Sequence, residues 1–205
     1  MNTKIFIVSL PRTGTTSACL YLLDQGYKVA HTAYSGASFE HAQVIADTPV
    51  FVDYAALNER YTQTKFVYLE RPVAAWLESI RRLLHSMRKQ LARGKNIFEP
   101  DIVRCFHHVF PDFDAQPRYS DEYLQDCYRR HKSDLLQYMK STNTPCLQLD
   151  ITDPNAGSVL HQYCSGQATS ELMEALPHVN RGRRISYWDS VEHENKVLSN
   201  LTLPL

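Results

Sequence analysis

The sequence has few of the features that mark fibrous, disordered or membrane-spanning proteins. Its 205 residues include only 7 Gly and 10 Pro, and no apolar run approaches the roughly 18 residues that a transmembrane helix needs. Lys and Arg total 22, as do Asp and Glu, so the formal net charge is zero. This balance gives no support to bulk binding of nucleic acid or of an anionic membrane. We therefore expect one globular domain over residues 1–205, in which any anion site is local.

The cysteines exclude two further classes of site. Their number is odd, they are widely spaced, and they never form a C-x-x-C pair, which argues against a disulfide framework and against a zinc site. They are Cys19, Cys105, Cys127, Cys146 and Cys164. The N-terminal apolar segment is short and lacks a small-residue cleavage site. We therefore expect reduced thiols in a cytoplasmic protein.

Short apolar runs alternate with helical patterns along the chain. The runs at 5–9, 27–31, 50–53, 65–69 and 145–149 predict buried strands, and the segments 15–24, 55–61, 73–93 and 119–139 predict helices. This alternation is typical of an α/β fold. It predicts a three-layer sandwich, with a five-stranded, mainly parallel sheet covered by helices on both faces.

The segment from about 96 to 140 interrupts the alternation and predicts a helical, aromatic insertion over the core. Its first part is rich in phenylalanine and proline, with Phe98, Phe106, Phe110 and Phe113 among them. These rings favour either an apolar lid over a ligand site or ordinary packing.

The strongest local signal follows the first predicted strand. The segment reads Pro11-Arg12-Thr13-Gly14-Thr15-Thr16 and opens a helix. Backbone N–H groups at such a turn, with the positive end of the helix dipole, favour an anion. Arg12 adds a permanent positive charge, and the threonines add hydroxyl donors. The alternative is a plain strand–turn–helix joint capped by Thr15.

A second motif follows the fourth predicted strand. Arg71 precedes Pro72, which holds it extended at the end of the strand and starts a helix. Ser79 then falls on the apolar stripe of that helix, where a buried hydroxyl needs a partner. The alternative partner is a carbonyl of its own helix.

Together these motifs resemble the sulfotransferases that use 3′-phosphoadenosine 5′-phosphosulfate (PAPS). The loop of these enzymes that binds the phosphosulfate commonly reads P-[KR]-[ST]-G-T-T, and residues 11–16 match it throughout. In the second motif of the family, an Arg and a Ser eight positions apart bind the 3′-phosphate. Arg71 and Ser79 have this separation. Many relatives have Asp or Asn between this Arg and the Pro, and here it is missing. The resemblance is to a bacterial-type subgroup of the P-loop sulfotransferases.

The resemblance implies the donor and the residues that bind it. PAPS would be the co-substrate and 3′,5′-adenosine diphosphate (PAP) the product, with no metal required. Arg12, Thr13, Gly14, Thr15 and Thr16 would bind the phosphosulfate. A basic C-terminal turn of three arginines, similar to the family's Arg-Lys-Gly loop, would contact the 3′-phosphate; the alternative is a solvated turn. Its arginines are Arg181, Arg183 and Arg184.

The chemistry requires a cation at the leaving group and a base at the acceptor. Arg12 suits the first role, since a guanidinium stabilises charge but does not donate its proton. For the base we expect Asp53, at the end of the third predicted strand and so at the ligand-binding edge of the sheet. His31, which ends the second predicted strand, is the alternative. Structural roles remain open for both, as a helix cap and as a buried imidazole.

Two other functions remain as alternatives. A small-molecule kinase using ATP and Mg²⁺ would carry a Walker A loop, but Ser9 and Thr15 stand where that motif has its first Gly and its Lys. A non-catalytic nucleotide-binding protein of the same fold is favoured if neither Asp53 nor His31 faces the donor. The acceptor classes left open are small molecules, carbohydrates, lipids and peptides, and the oligomeric state is open as well.

Overall fold

The chain folds around one parallel β-sheet. The computed structural model describes residues 3–93, 97–116, 118–167, 174–177, 179 and 188–202. The strands are β1 (Lys4–Ile7), β2 (Val29–Ala30), β3 (Val44–Ala46), β4 (Thr64–Glu70) and β5 (Cys146–Asp150). Every strand pair is parallel, in the order β2-β3-β1-β4-β5. The predicted α/β class and five-stranded sheet are confirmed.

Seven helices connect and cover the strands in the described part of the chain. They are α1 (Thr15–Asp24), α2 (Gly36–His41), α3 (Val50–Arg60), α4 (Val73–Ala92), α5 (Pro100–Val109), α6 (Asp121–Ser141) and α7 (Ala156–Ser165). None of the helices described is both long and apolar enough to cross a bilayer. The prediction for α1 agrees at both ends, and that for α4 differs by one residue.

The two faces of the sheet bury different side chains, as the alternation along a strand requires. Ile5 and Ile7 of β1 pack with α1 and α7 in one cluster. Phe6, between them, packs on the opposite face with α3 and α6. The sheet is thus the middle layer of a sandwich, and its strands are buried because helices cover both faces.

A third apolar cluster lies beside the sheet, where α4, α5 and α6 meet. Trp76 of α4 is fully buried there and stacks near Phe110, with ring centroids 6.4 Å apart. Phe106 and Phe113 belong to the same cluster. The aromatic residues of the predicted insertion therefore pack in a cluster that they share with α4, Phe51 and Leu10, while the end of α6 packs on the sheet through Leu135 and Met139.

The predicted third strand is wrong. Residues 50–53 begin α3, and the strand beside β1 is Val44–Ala46. A short apolar run does not by itself distinguish a buried strand from a buried helix. Here Pro49 stands at the helix N-cap, and Val50 and Phe51 are buried as helical residues.

Candidate active site

One cleft of about 960 Å³ opens at the carboxyl edge of the sheet. Its lining includes the loop after β1, His31 after β2, Asp47 after β3, Arg71 after β4 and Ile151 after β5. Since all five strands are parallel, the loops that follow them meet at one edge, which is where open α/β sheets bind ligands.

The loop between β1 and α1 is shaped by Gly14. Its φ of 102° lies in the left-handed region, and a Cβ there would come within 3.1 Å of Ile151 Cδ1. Gly14 is the N-cap of α1, and no side chain of the described residues caps this helix. The start of α1 lines the cleft, so the positive end of its helix dipole favours an anion there.

Arg12 and Arg71 converge on this loop. Arg12 donates from Nε to Ser79 Oγ at 2.8 Å, and Arg71 donates from Nη1 to the Arg12 carbonyl at 2.9 Å. All three residues line the cleft. Burial, and then the charge of Arg71, lower the pKa of Arg12, while the Asp47 charge acts in the opposite direction.

His31 lies at the other side of the α1 N-terminus. Its Nε2 is 3.3 Å from Thr15 Oγ1, 3.1 Å from Thr16 Oγ1 and 3.9 Å from Asp47 Oδ2. Thr48 donates its hydroxyl to the other Asp47 oxygen at 3.1 Å. Burial lowers the pKa of His31 below its usual 6.5, although the Asp47 charge acts in the opposite direction. The imidazole is therefore neutral at pH 7 and able to accept a proton.

The match to a known family agrees with this geometry. The profile of the sulfotransferase domain matches residues 34–157, which is more than half of the chain. The chain belongs to the sulfotransferase family. No curated protein matches the sequence. The matched region includes Asp47, Arg71 and Ser79 but begins after the 11–16 loop, so the loop motif is a separate observation.

The predicted position of Asp53 in this sulfotransferase is wrong. Asp53 lies within α3 rather than at a strand end, and its carboxylate accepts two hydrogen bonds from Arg104, at 2.9 and 2.7 Å. It is not among the residues that line the cleft. The premise that made it the expected base, a place at the carboxyl edge of the sheet, therefore fails.

Asp47 occupies the place predicted for Asp53. It directly follows β3, lines the cleft and has a φ of 52°. The signal that could have found it is the β-branched pair Val44 and Ile45, followed by an Asp-Thr-Pro turn. The apolar run at 50–53, which has equally many consecutive apolar residues but bulkier ones, masked this signal.

Thr13 does not face the cleft of the sulfotransferase. It is fully buried, and its hydroxyl donates to the Leu10 carbonyl at 2.7 Å. Its side chain therefore holds the loop in shape, in contrast to the predicted contact with the donor. The predicted arginines Arg181, Arg183 and Arg184 lie outside the described residues.

Proposed function

We propose that this sulfotransferase transfers a sulfuryl group from PAPS to a hydroxyl or an amine of an acceptor. One observation carries the proposal: Arg12 and Arg71 face a single cleft at the start of α1. Within the described parts of the chain, neither forms a salt bridge with a carboxylate. Two partly buried cations that form no such salt bridge favour a ligand that carries more than one negative group.

The residues present fit PAPS, which is anionic at both ends. Arg12, the N–H groups that start α1 and the hydroxyls of Thr15 and Thr16 would hold the phosphosulfate. Arg71 and Ser79 would hold the 3′-phosphate, as the motif spacing implies. Ser79 is almost fully buried, so its hydroxyl is fixed in place for Arg12 or for a phosphate oxygen.

Each residue contributes a separate part of the transfer. When bound, PAPS supplies a sulfuryl group, whose bond to the phosphate oxygen breaks as the bond to the acceptor forms. Arg12 neutralises the charge that grows on the departing phosphate and keeps its own proton. His31, uncharged at pH 7, takes the proton that the acceptor loses, and Asp47 stabilises the resulting imidazolium.

Binding of nucleotides tests this proposal against the kinase alternative. Calorimetry should show that the protein prefers PAP to ADP with Mg²⁺. Arg12→Ala and Arg71→Ala should each weaken PAP binding by about tenfold or more, since a hydrogen bond to a charged group contributes roughly 1.5–3 kcal/mol. Arg129→Ala is the control, because Arg129 is exposed on α6, pairs with Asp126 and does not line the cleft. A preference for ADP with Mg²⁺ would overturn the proposal.

Transfer itself is tested with PAPS and a mixture of acceptors. Arg12→Ala should lower the rate by roughly 10²–10³, as expected when one preorganised electrostatic donor is removed. His31→Ala should abolish most of the transfer while PAP still binds. Full activity of both variants would exclude the assigned roles, and PAP binding without transfer to any acceptor would favour the non-catalytic alternative.

A further inference from the structure

The C-terminal segment 188–202 pairs with β2, the strand at the edge of the sheet that leads to His31. The Val29 N–H donates to the Asn195 carbonyl at 3.0 Å, and the Val29 carbonyl accepts from the Val197 N–H at 2.8 Å. These two bonds make the segment a further parallel neighbour of β2. They also fix its position relative to His31, which directly follows β2.

Trp188 lies near the start of this segment and packs on His31. It begins a 3₁₀ turn, Trp188–Ser190, and is only 7% exposed. The centroids of the indole and the imidazole are 5.5 Å apart, and the two ring planes differ by 31°. This distance falls within the roughly 6 Å over which an aromatic face attracts a cation. Trp188 is not among the residues that line the cleft, so it contacts His31 from outside the ligand site.

Lys196 holds this turn in place. Its Nζ donates to the carbonyls of Trp188 and Val191, each at 2.9 Å, and lies 5.4 Å from the centroid of the Trp188 ring. Lys196 is also the residue that forms the bridge with Val29 of β2. The indole is thereby fixed relative to β2, and so relative to His31.

Two carboxylates and this aromatic ring can stabilise a positive charge on His31. Asp47 Oδ2 lies 3.9 Å from the His31 Nε2, and the charge of Asp189 also raises the pKa of His31. Burial has the larger effect and lowers it, because a buried imidazolium loses its water. From α1, His31 meets the hydroxyls of two threonines. The indole adds the negative face of its ring, which attracts a cation most strongly where water is excluded.

We infer that Trp188 is a positioning residue for the transfer, which holds the His31 imidazole at the start of α1 and stabilises the imidazolium that forms there. The inference rests on the proposed function, in which His31 is the base. In that step the proton of the acceptor moves to an imidazole nitrogen, and the electron pair it leaves forms the new bond to sulfur as the bond between sulfur and the phosphate oxygen breaks. The indole takes no part in these bonds and acts only through His31.

A role of Trp188 in packing alone makes a different prediction. The indole belongs to an apolar cluster with residues of β1, α1 and α7. If it only fills space there, an aliphatic residue can replace it without a specific effect on His31. If its face stabilises the imidazolium, phenylalanine should preserve much of the effect and leucine should not. The two substitutions therefore separate the two roles.

The first test follows the titration of His31 by NMR without added ligand, with the signal assigned by its loss in His31→Gln. In Trp188→Leu, His31 should titrate at a lower pH than in the wild type, because its charged form has lost the indole. In Trp188→Phe the titration should lie closer to that of the wild type. Val191→Ala is the matched control, since Val191 packs against the same cluster from the same segment and should leave the titration unchanged.

A second measurement preserves the size of the ring. Protein produced with 5-fluorotryptophan carries it at Trp76 and Trp188, the two tryptophans of the chain. The shape of the ring is nearly unchanged, but its face is less negative, so the titration of His31 should again move to lower pH. In Trp188→Phe only the fluorinated Trp76 remains, and fluorination should have no effect on His31. An unchanged titration in the fluorinated wild type would overturn the inference.

The transfer rate shows whether the contact serves catalysis. With PAPS and the mixture of acceptors, kcat of Trp188→Leu should fall about threefold or more, while PAP affinity stays unchanged because Trp188 does not line the cleft. A full rate in Trp188→Leu, or the same titration of His31 as in the wild type, would contradict the assigned role. A wild-type protein that binds no PAP would overturn the proposed function, and with it the role in transfer, even where the titrations confirm the contact.

Discussion

Arg12 is held by Ser79, 67 positions further along the chain, through a hydrogen bond of 2.8 Å from Nε to Oγ. The bond joins the loop after β1 to the buried face of α4. It orients the guanidinium across the cleft, so the two sequence motifs form one site.

Replacing Ser79 by Ala should disorder Arg12 with little effect on the rest of the fold. We expect PAP affinity to fall about tenfold, in line with the roughly 1.5–3 kcal/mol of a hydrogen bond to a charged group. Calorimetry measures the change. Ser86→Ala, on the same helix but away from the cleft, should bind PAP normally, and an unchanged affinity in Ser79→Ala would contradict the role of this bond.

Gly14→Ala should destabilise the protein more than Gly26→Ala. Both glycines have positive φ, 102° and 84°, which costs a non-glycine residue about 1–2 kcal/mol. Only at Gly14 would the new Cβ also press on Ile151, whereas nothing lies within 4 Å at Gly26. Urea unfolding measures both free energies.

The contact with Ile151 can be tested separately in a double variant. In an Ile151→Ala background, the extra cost of Gly14→Ala should disappear, because the side chain that the Cβ would meet has been removed. An extra cost that persists there would show that the backbone conformation alone requires glycine.

Asp47→Asn should lower the transfer rate, whereas Asp53→Asn should affect only stability. Asp47→Asn removes the charge that stabilises protonated His31, so the transfer rate should fall about tenfold or more, equivalent to about 1.4 kcal/mol. Asp53→Asn breaks a partly exposed ion pair with Arg104, which should cost about 1 kcal/mol of stability or less and leave transfer intact. A larger loss of activity in Asp53→Asn would restore Asp53 as the candidate base.

His131 should make the protein less stable in mild acid. Burial lowers the pKa of His131 to about 4, although its hydrogen bond with the Phe51 carbonyl acts in the opposite direction. The unfolded chain, with a histidine pKa near 6.5, binds this proton more readily than the folded protein. The free energy of unfolding that neutral His131 contributes is therefore fully present above pH 6.5 and is lost as the pH falls toward 4.

Comparison with a variant isolates this effect from those of the other histidines. Between pH 7.5 and pH 5, the free energy of unfolding of the wild type should fall by about 2 kcal/mol more than that of His131→Gln. Urea unfolding at both pH values provides the measurement. Parallel pH profiles of the two proteins would exclude His131 as the source.

Much of the candidate site could be predicted because its chemistry is local in the sequence. The loop at 11–16 contains its own turn residue, charge and helix start within six positions, and Arg71 and Ser79 are eight positions apart on one strand–helix joint. The sequence also predicted α1 and α4 closely, since α4 has one apolar stripe and α1 directly follows the loop motif and is rich in apolar residues. Thr13 was misplaced because no local pattern shows which hydroxyl turns inward to the Leu10 carbonyl.

The sequence by itself determined the α/β class, the turn at 11–16 that leads into α1 and the spacing of the second motif, because each depends on neighbours only a few positions apart. Only the tertiary structure decided that Asp47 and not Asp53 reaches the edge of the sheet, that Arg12 meets Ser79, and that α4 and α5 line the same cleft as His31. These relationships join residues that are distant in the chain. They depend on how the helices pack and on which apolar runs become strands of the sheet. A short apolar run such as 50–53 has no local pattern that distinguishes a buried strand from a buried helix.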